Sequence, residues 1–258
     1  MPTLSKAGSR LLGQVAIVTG GGSGYGRGIA ERFAREGAKV VIADIDEAGG
    51  RQAASILPHQ MFFQKTNVAR EEDWHALIKA TTAKFGPVHC LVNNAGTTYR
   101  NKPTLQVTEA DFDRCFDVNV KSIFYGTSAI IPRFMEHKQG GCIINIASVG
   151  ATRPRPGLVW YNASKGAIWN VTKGLAAEFG SEGIRVNSVC PLLGGTGLFE
   201  GFSGVPDTPE NRAKFISNVP LGRLCEAEDV AGACLFLASD DAKFITGINM
   251  EVDGGRAI

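Results

Sequence analysis

Seven short apolar runs, rich in β-branched residues, recur along this chain with longer helix-spaced stretches between them. They occupy residues 15–18 (VAIV), 40–43 (VVIA), 61–63 (MFF), 88–92 (VHCLV), 142–146 (CIINI), 185–189 (RVNSV) and 248–252 (INMEV). Most are nearly continuous in apolar character rather than alternating with polar residues, the pattern of strands buried on both faces. Strand–helix alternation from end to end then demands parallel strands joined by crossover helices, with helices on both sheet faces. The fold class is α/β, a doubly wound parallel sheet of about seven strands.

The intervening helices have readable ends. One runs over 26–36 and stops at Gly37; another runs over 71–85 and stops at Gly86-Pro87. Thr108 and Asp111 form a capping-box pair that opens a long helix reaching about His137. Further helices are expected over 161–179, ending at Gly180, and over 229–238. No repeat, low-complexity tract or Pro/Ser-rich linker divides the chain, so residues 1–258 are read as one catalytic domain. Residues 191–220 form one long irregular stretch, read as a lid within it because connections of that length are typically lids or binding loops.

Composition narrows the function. A net charge of +2 supplies no overall attraction to nucleic acid or anionic lipid. The 44% hydrophobic content excludes a disordered or fibrous chain. The six cysteines lie nine or more residues apart, and with four scattered histidines they show no zinc-ligand spacing, so reduced structural thiols and no metal are expected. Residues 1–12 lack an apolar leader core, and no run approaches the ~18 apolar residues of a membrane helix. A cytoplasmic protein is expected. Glycine alone is out of proportion, at 32 residues of 258 against the usual ~7%.

Several of those glycines follow the first strand directly, in Thr19-Gly20-Gly21-Gly22-Ser23-Gly24-Tyr25-Gly26, with a helix next. Glycines there let the backbone turn sharply and approach a pyrophosphate, whose charge meets free N–H groups at the helix start. At the tip of the second strand stands Asp44, eighteen residues past Gly26. A carboxylate at that place accepts bonds from adenosine ribose hydroxyls and repels a 2′-phosphate, so the expected cofactor is NAD(H) rather than NADP(H). Arg27 can soften that preference. Farther on, Tyr161 and Lys165 lie one turn apart on one helix face. A free tyrosine titrates near ~10, and an adjacent ammonium lowers that value, making the pair a proton donor and acceptor for a carbonyl/alcohol couple.

With Thr19-Gly20-x-x-x-Gly24-x-Gly26, Asn93-Asn94-Ala95-Gly96, Asn119, Ser148 and Tyr161-x-x-x-Lys165 in this order, the chain resembles the short-chain dehydrogenase/reductase family over nearly its full length. The resemblance implies a Rossmann fold in which Tyr161 exchanges a proton with the substrate oxygen and Ser148 holds that oxygen. Lys165 would tune Tyr161 and bond the nicotinamide ribose, while Asn119 would kink the long helix and hold a water linking Lys165 to solvent. Asn93 and Asn94 would support the adenosine side. The cofactor would be held by Gly20, Ser23, Gly24, Tyr25, Gly26, Asp44, Ile45, Asn67, Val68, Asn94, Ala95, Gly96, Tyr161, Lys165, Pro191 and Thr196. A homotetramer built partly on the long helices is also implied, with residues 252–258 reaching a neighbouring subunit. Three positions depart from the family pattern. Tyr25 stands where an aliphatic residue is usual, Asn67 replaces an aspartate that contacts adenine, and Leu192 follows Pro191 where glycine is common.

Specificity should come from residues 97–99, 149–160 and the lid, whose Leu192, Leu193, Leu198, Phe199, Phe202 and Phe215 suit an apolar substrate body or serve lid packing alone. Arg153 and Arg155 either clamp an anionic substrate or are solvated or paired across a subunit interface. The function that best fits is an NAD-dependent dehydrogenase acting on a secondary alcohol or ketone, of polyol, sugar-like or hydrophobic kind, with oxidation the favoured direction. The runner-up is an NADPH-dependent 3-oxoacyl thioester reductase. A non-catalytic NAD-binding protein would not need Ser148, Tyr161 and Lys165 together, and a methyltransferase using S-adenosylmethionine would need neither the Tyr–Lys pair nor the Asn-Asn-Ala-Gly segment.

Overall fold

The computed structural model describes residues 9–194 and 199–258. Each apolar run forms a strand, because side chains on both of its faces find helices to bury against. In chain order the elements are β1 (Val15–Thr19), α1 (Gly24–Arg35), β2 (Lys39–Asp44), α2 (Glu47–Ala54), β3 (Met61–Lys65), α3 (Glu71–Phe85) and β4 (Cys90–Asn93). Then follow α4 (Glu109–Phe116), α5 (Ser122–His137), β5 (Gly141–Ile146), α6 (Val159–Phe179) and β6 (Ile184–Pro191). The chain continues through α7 (Phe199–Ser203), α8 (Pro209–Ile216), α9 (Ala227–Ala238) and β7 (Asn249–Val252). All strand pairs are parallel, in one seven-stranded sheet of order β3-β2-β1-β4-β5-β6-β7.

Two apolar layers sandwich the sheet. Ala16, Val18, Val40, Ile42, Val92 and Ile144 pack on one face with Phe33 of α1 and Leu235 of α9. Ile17, Val41, Leu91, Ile143 and Val186 pack on the other with Trp74 of α3 and Phe134 of α5. Successive residues of one strand thus enter different cores, the geometry behind the continuous apolar runs. All six cysteines are free and buried. Among the described residues no helix is long and apolar enough to cross a membrane.

The strand order reverses between β1 and β4, which opens a crevice beyond the carboxyl ends of the strands, the usual ligand position in such sheets. Two features differ from the sequence reading. The helix expected from Thr108 to His137 is divided: α4, capped by the Thr108–Asp111 box, passes into one π-helical turn (Asp117–Lys121) before α5 begins. The buried Asn119 sits in that turn. The stretch 191–220, read as irregular, contains α7 and α8; Thr208 caps α8 through the Asn211 N–H, and Pro209 occupies its first turn.

Candidate active site

Beyond the strand tips lies a cavity of ≈ 990 Å³, within the span of ligand pockets. The glycine turn forms one side. Gly20 and Gly24 have positive φ of 63° and 52°, which glycine adopts without a steric penalty. A Cβ on Gly26 would stand 2.1 Å from the Gly20 carbonyl oxygen, so only glycine lets α1 come this close. Gly26 therefore shapes the turn by letting α1 approach the Gly20 carbonyl. Asn94 holds the turn from the other side, its Nδ2 donating to the carbonyls of Thr19 (2.8 Å) and Gly20 (3.1 Å). Ser23 makes no capping bond with its side chain, and the first turn of α1 has no acid. Open N–H groups, an uncommitted hydroxyl and no competing carboxylate suit an anion here.

Asp44 ends β2, its Oδ2 accepting from the Gly22 N–H (2.9 Å) and its Oδ1 from the Asp46 N–H (3.0 Å). Ile45, Asn67 and Val68 line the cavity beside it. The Asn67 Oδ1 accepts from the Ala69 N–H (3.0 Å), so the side chain shapes its own turn. Ala95 and Gly96 also line the cavity, whereas Asn93 points into the sheet and donates to Asn145 Oδ1 at 2.9 Å. Asn93 ties β4 to β5 rather than supporting the adenosine side. Thr196 and Leu198 lie outside the described residues.

Ser148, Tyr161, Lys165 and Pro191 converge on the far side of the cavity. Ser148 follows β5, and Gly150 N–H donates to its Oγ at 3.0 Å. Tyr161 and Lys165 come from the first turns of α6, and the Tyr161 ring meets Phe202 edge-on with centroids 5.0 Å apart. Lys165 Nζ donates to the Ile146 carbonyl at 2.7 Å. The electrostatics correct the sequence reading. Burial pushes the Tyr161 phenol well above its ordinary value, and only interaction with Ser148 works against it. Burial also holds the Lys165 ammonium down to about 8, from an ordinary 10.5. Desolvation outweighs the expected charge stabilisation of the phenolate by Lys165 because both side chains are largely buried in the cavity wall.

Asn119 is buried away from the cavity and clamps Thr97, accepting from its N–H (2.8 Å) and donating to its carbonyl (2.9 Å) and to Ser164 Oγ (3.0 Å). The side chain thereby fixes the segment after β4 beside α6. Tyr25 shows what its departure from the pattern does: its hydroxyl donates to the Leu192 carbonyl at 2.9 Å, joining the glycine turn to the segment after β6. Arg114, Lys214, Asn218, Leu224 and Arg256 also line the cavity. None was singled out from sequence, since each comes from a separate segment with no motif to mark it.

A model of the family described as enoyl-(acyl carrier protein) reductase matches residues 20–257. The chain belongs to the short-chain dehydrogenase/reductase family. It is 47% identical to the 4-formylbenzenesulfonate dehydrogenase of Comamonas testosteroni, over 95% of this chain and 98% of that one. Identity to the meso-2,3-butanediol dehydrogenase of Serratia marcescens is 36%, covering 94% of each. The crystal structure of a 3-ketoacyl-(acyl-carrier-protein) reductase from Brucella melitensis, complexed with NADH, superposes with a TM-score of 0.92 at 43% identity, covering 96% of this chain and 100% of that one. This short-chain dehydrogenase/reductase is an oxidoreductase acting on CH–OH groups, and its glycine turn, Ser23 hydroxyl and strand-tip acid fit a nicotinamide dinucleotide.

Proposed function

We propose that the protein transfers a hydride between NAD(H) and a secondary alcohol or ketone, with Tyr161 moving the proton. The convergence of Ser148, Tyr161 and Lys165 on the cavity that the glycine turn also lines carries this reading. Gly20, Ser23 and Gly24 would hold the pyrophosphate, and Asp44, Ile45, Asn67 and Val68 the adenosine end. Pro191, with Tyr161 and Lys165, would flank the nicotinamide end. NAD supplies the hydride acceptor when bound, and that redox chemistry belongs to the cofactor.

The remaining work falls to the chain. Ser148 Oγ holds the substrate oxygen where charge develops. Tyr161 takes the hydroxyl proton in oxidation and returns it in reduction. Lys165 keeps one donor on Ile146 and has two more for the ribose hydroxyls and the phenolate. Phe202 against Tyr161 excludes water from the reacting oxygen. The segment 191–220, with α7 and α8, serves as the lid. The resemblance to a thioester reductase keeps acyl-carrier substrates as the second reading, which the Asp44 carboxylate disfavours where the cofactor carries a 2′-phosphate.

Tyr161→Phe should lower kcat with an alcohol panel by 10²–10⁴-fold while NADH affinity stays near wild type. More than about a tenth of wild-type turnover in the variant would refute the proton role of Tyr161.

The assembly is a homotetramer in this reading. It is supported by an apolar groove between α5 and α6, lined by Ile123, Phe124, Ile131, Met135 and Leu175, in which Phe124 is 65% exposed.

A further inference from the structure

Three cations that sequence reading did not bring together meet at the substrate side of the cavity. Arg155 comes from the loop between Ser148 and Tyr161, Lys214 from α8, and Arg256 from the segment after β7. None forms an ion pair with any described residue. Arg155 stacks its guanidinium on the Phe215 ring at 4.4 Å, which aims it without neutralising it. The Arg256 Nη1 atom is sealed from solvent and has no hydrogen-bond partner. The neighbouring Asp253 carboxylate accepts from the N–H groups of Gly255 (2.9 Å) and Ala257 (2.7 Å), and its charge reaches Arg256 without a hydrogen bond to the guanidinium.

Asp44 is the sole acid among the described residues lining the cavity, and it stands at the tip of β2, across the switch point from the loop that carries Arg155. A buried cationic donor without a partner, as Arg256 Nη1 is, is costly, and the cost is removed when an anion supplies the missing acceptor. Burial and the charge of Arg256 both lower the Arg155 affinity for protons, and both residues line the same cavity. The dinucleotide's own phosphates do not answer this need, since the glycine turn already provides their site. Leu158, Phe202 and Phe215 line the same side of the cavity and give it an apolar wall.

We infer that the substrate oxidised at Tyr161 is an amphipathic acid, carrying a carboxylate or sulfonate that Arg155, Arg256 and Lys214 receive beyond an apolar body. This rests on the alcohol/ketone reading above and names the substrate class within it. Arg153 stays outside the set because it is spent on the backbone oxygens of Arg256 and Ile258.

The test pairs neutral and anionic para-substituted alcohols on the NAD-loaded enzyme: 1-phenylethanol and the neutral amide 4-(1-hydroxyethyl)benzamide against 4-(1-hydroxyethyl)benzoate and 4-(1-hydroxyethyl)benzenesulfonate. Wild type should favour the anions in kcat/KM by about ten- to hundredfold, the range a charge-assisted hydrogen bond commands. Arg155→Met and Arg256→Met should each erase about tenfold of that preference, mostly through KM, with 1-phenylethanol turnover and NADH affinity within about twofold of wild type. Equal rates for neutral and charged alcohols, or a preference that survives both substitutions, would overturn the inference.

Calorimetric titration of the NAD⁺ complex with 4-acetylbenzoate and acetophenone, a dead-end pairing of oxidised cofactor with ketone, reads the anion site without turnover. Binding of 4-acetylbenzoate that is stronger than that of acetophenone, and lost in both variants, supports the site even if the alcohols prove to be non-substrates. No binding of the anion, or unchanged binding in the variants, overturns it even if 1-phenylethanol is oxidised.

Discussion

Asp44 has two tasks that one substitution can separate. Its carboxylate accepts the Gly22 N–H and carries a charge on the cavity wall where the adenosine end is proposed to lie. Asp44→Asn keeps an acceptor oxygen for the turn and removes the charge. NADPH affinity should therefore rise by about tenfold or more, with a smaller change for NADH, in a fluorescence titration. An unchanged NADH-to-NADPH ratio would show that Asp44 does not set the coenzyme. Lys165 yields a second prediction, with its sign fixed by burial. Its folded value of about 8 lies below the ordinary 10.5, so between those limits the unfolded chain holds the proton more tightly. The burial penalty is complete below pH 8 and disappears as pH rises toward 10.5. The stability of Lys165→Met relative to wild type should accordingly rise by up to about 3 kcal/mol between pH 10 and pH 7, on top of a pH-independent loss from the missing Ile146 bond, in cofactor-free urea denaturation. The Tyr161–Lys165 pair was legible in the sequence as a spacing. The ordering of effects on it was not, because desolvation depends on what the rest of the chain packs above α6.

At the scale of elements, the strands were readable because each buries both faces, leaving no polar alternation to confuse them with surface segments. Helix α2 was missed for the opposite reason. Gly49 and Gly50 obscure its pattern, yet a Cβ at Gly50 would stand 2.2 Å from the Phe63 ring, so the glycine answers β3 rather than its own helix. Helix α8 did announce itself, through Thr208 and Pro209, but inside a stretch whose length suggested a loop. The bond from Tyr25 to Leu192 shows an element contact no local pattern encodes, since it joins α1 to the root of the 191–220 segment. Tyr25→Phe leaves the half-buried Leu192 carbonyl without that donor, at a cost of about 1 kcal/mol. Limited proteolysis within 191–220 should be several-fold faster in this variant, with NADH protecting less than in wild type. Cleavage at the wild-type rate would show that other contacts hold the segment.

For the whole molecule, the class and topology followed from the order of its runs, while the convergence of Arg155, Lys214 and Arg256 did not, since it depends on three crossovers ending at one place. The groove on α5 and α6 has its own consequence. Light scattering should return four chains' mass, and Phe124→Glu should shift it toward smaller species; a wild-type monomer would end the tetramer reading. The six buried thiols allow a further kind of measurement. Cys90, Cys142, Cys225 and Cys234 lie in the main core, Cys225 against the cavity-lining Tyr25, and Cys115 and Cys190 lie beside the active site. Burial raises the Cys190 and Cys225 thiols to about 11, which slows their alkylation in the closed state. Timed alkylation followed by peptide mass spectrometry thus becomes a set of clocks, each started only when its own region opens. The clocks at 90, 142 and 234 should tick together at the pace of global unfolding, and those at 115, 190 and 225 earlier, until bound dinucleotide holds them back to the same pace.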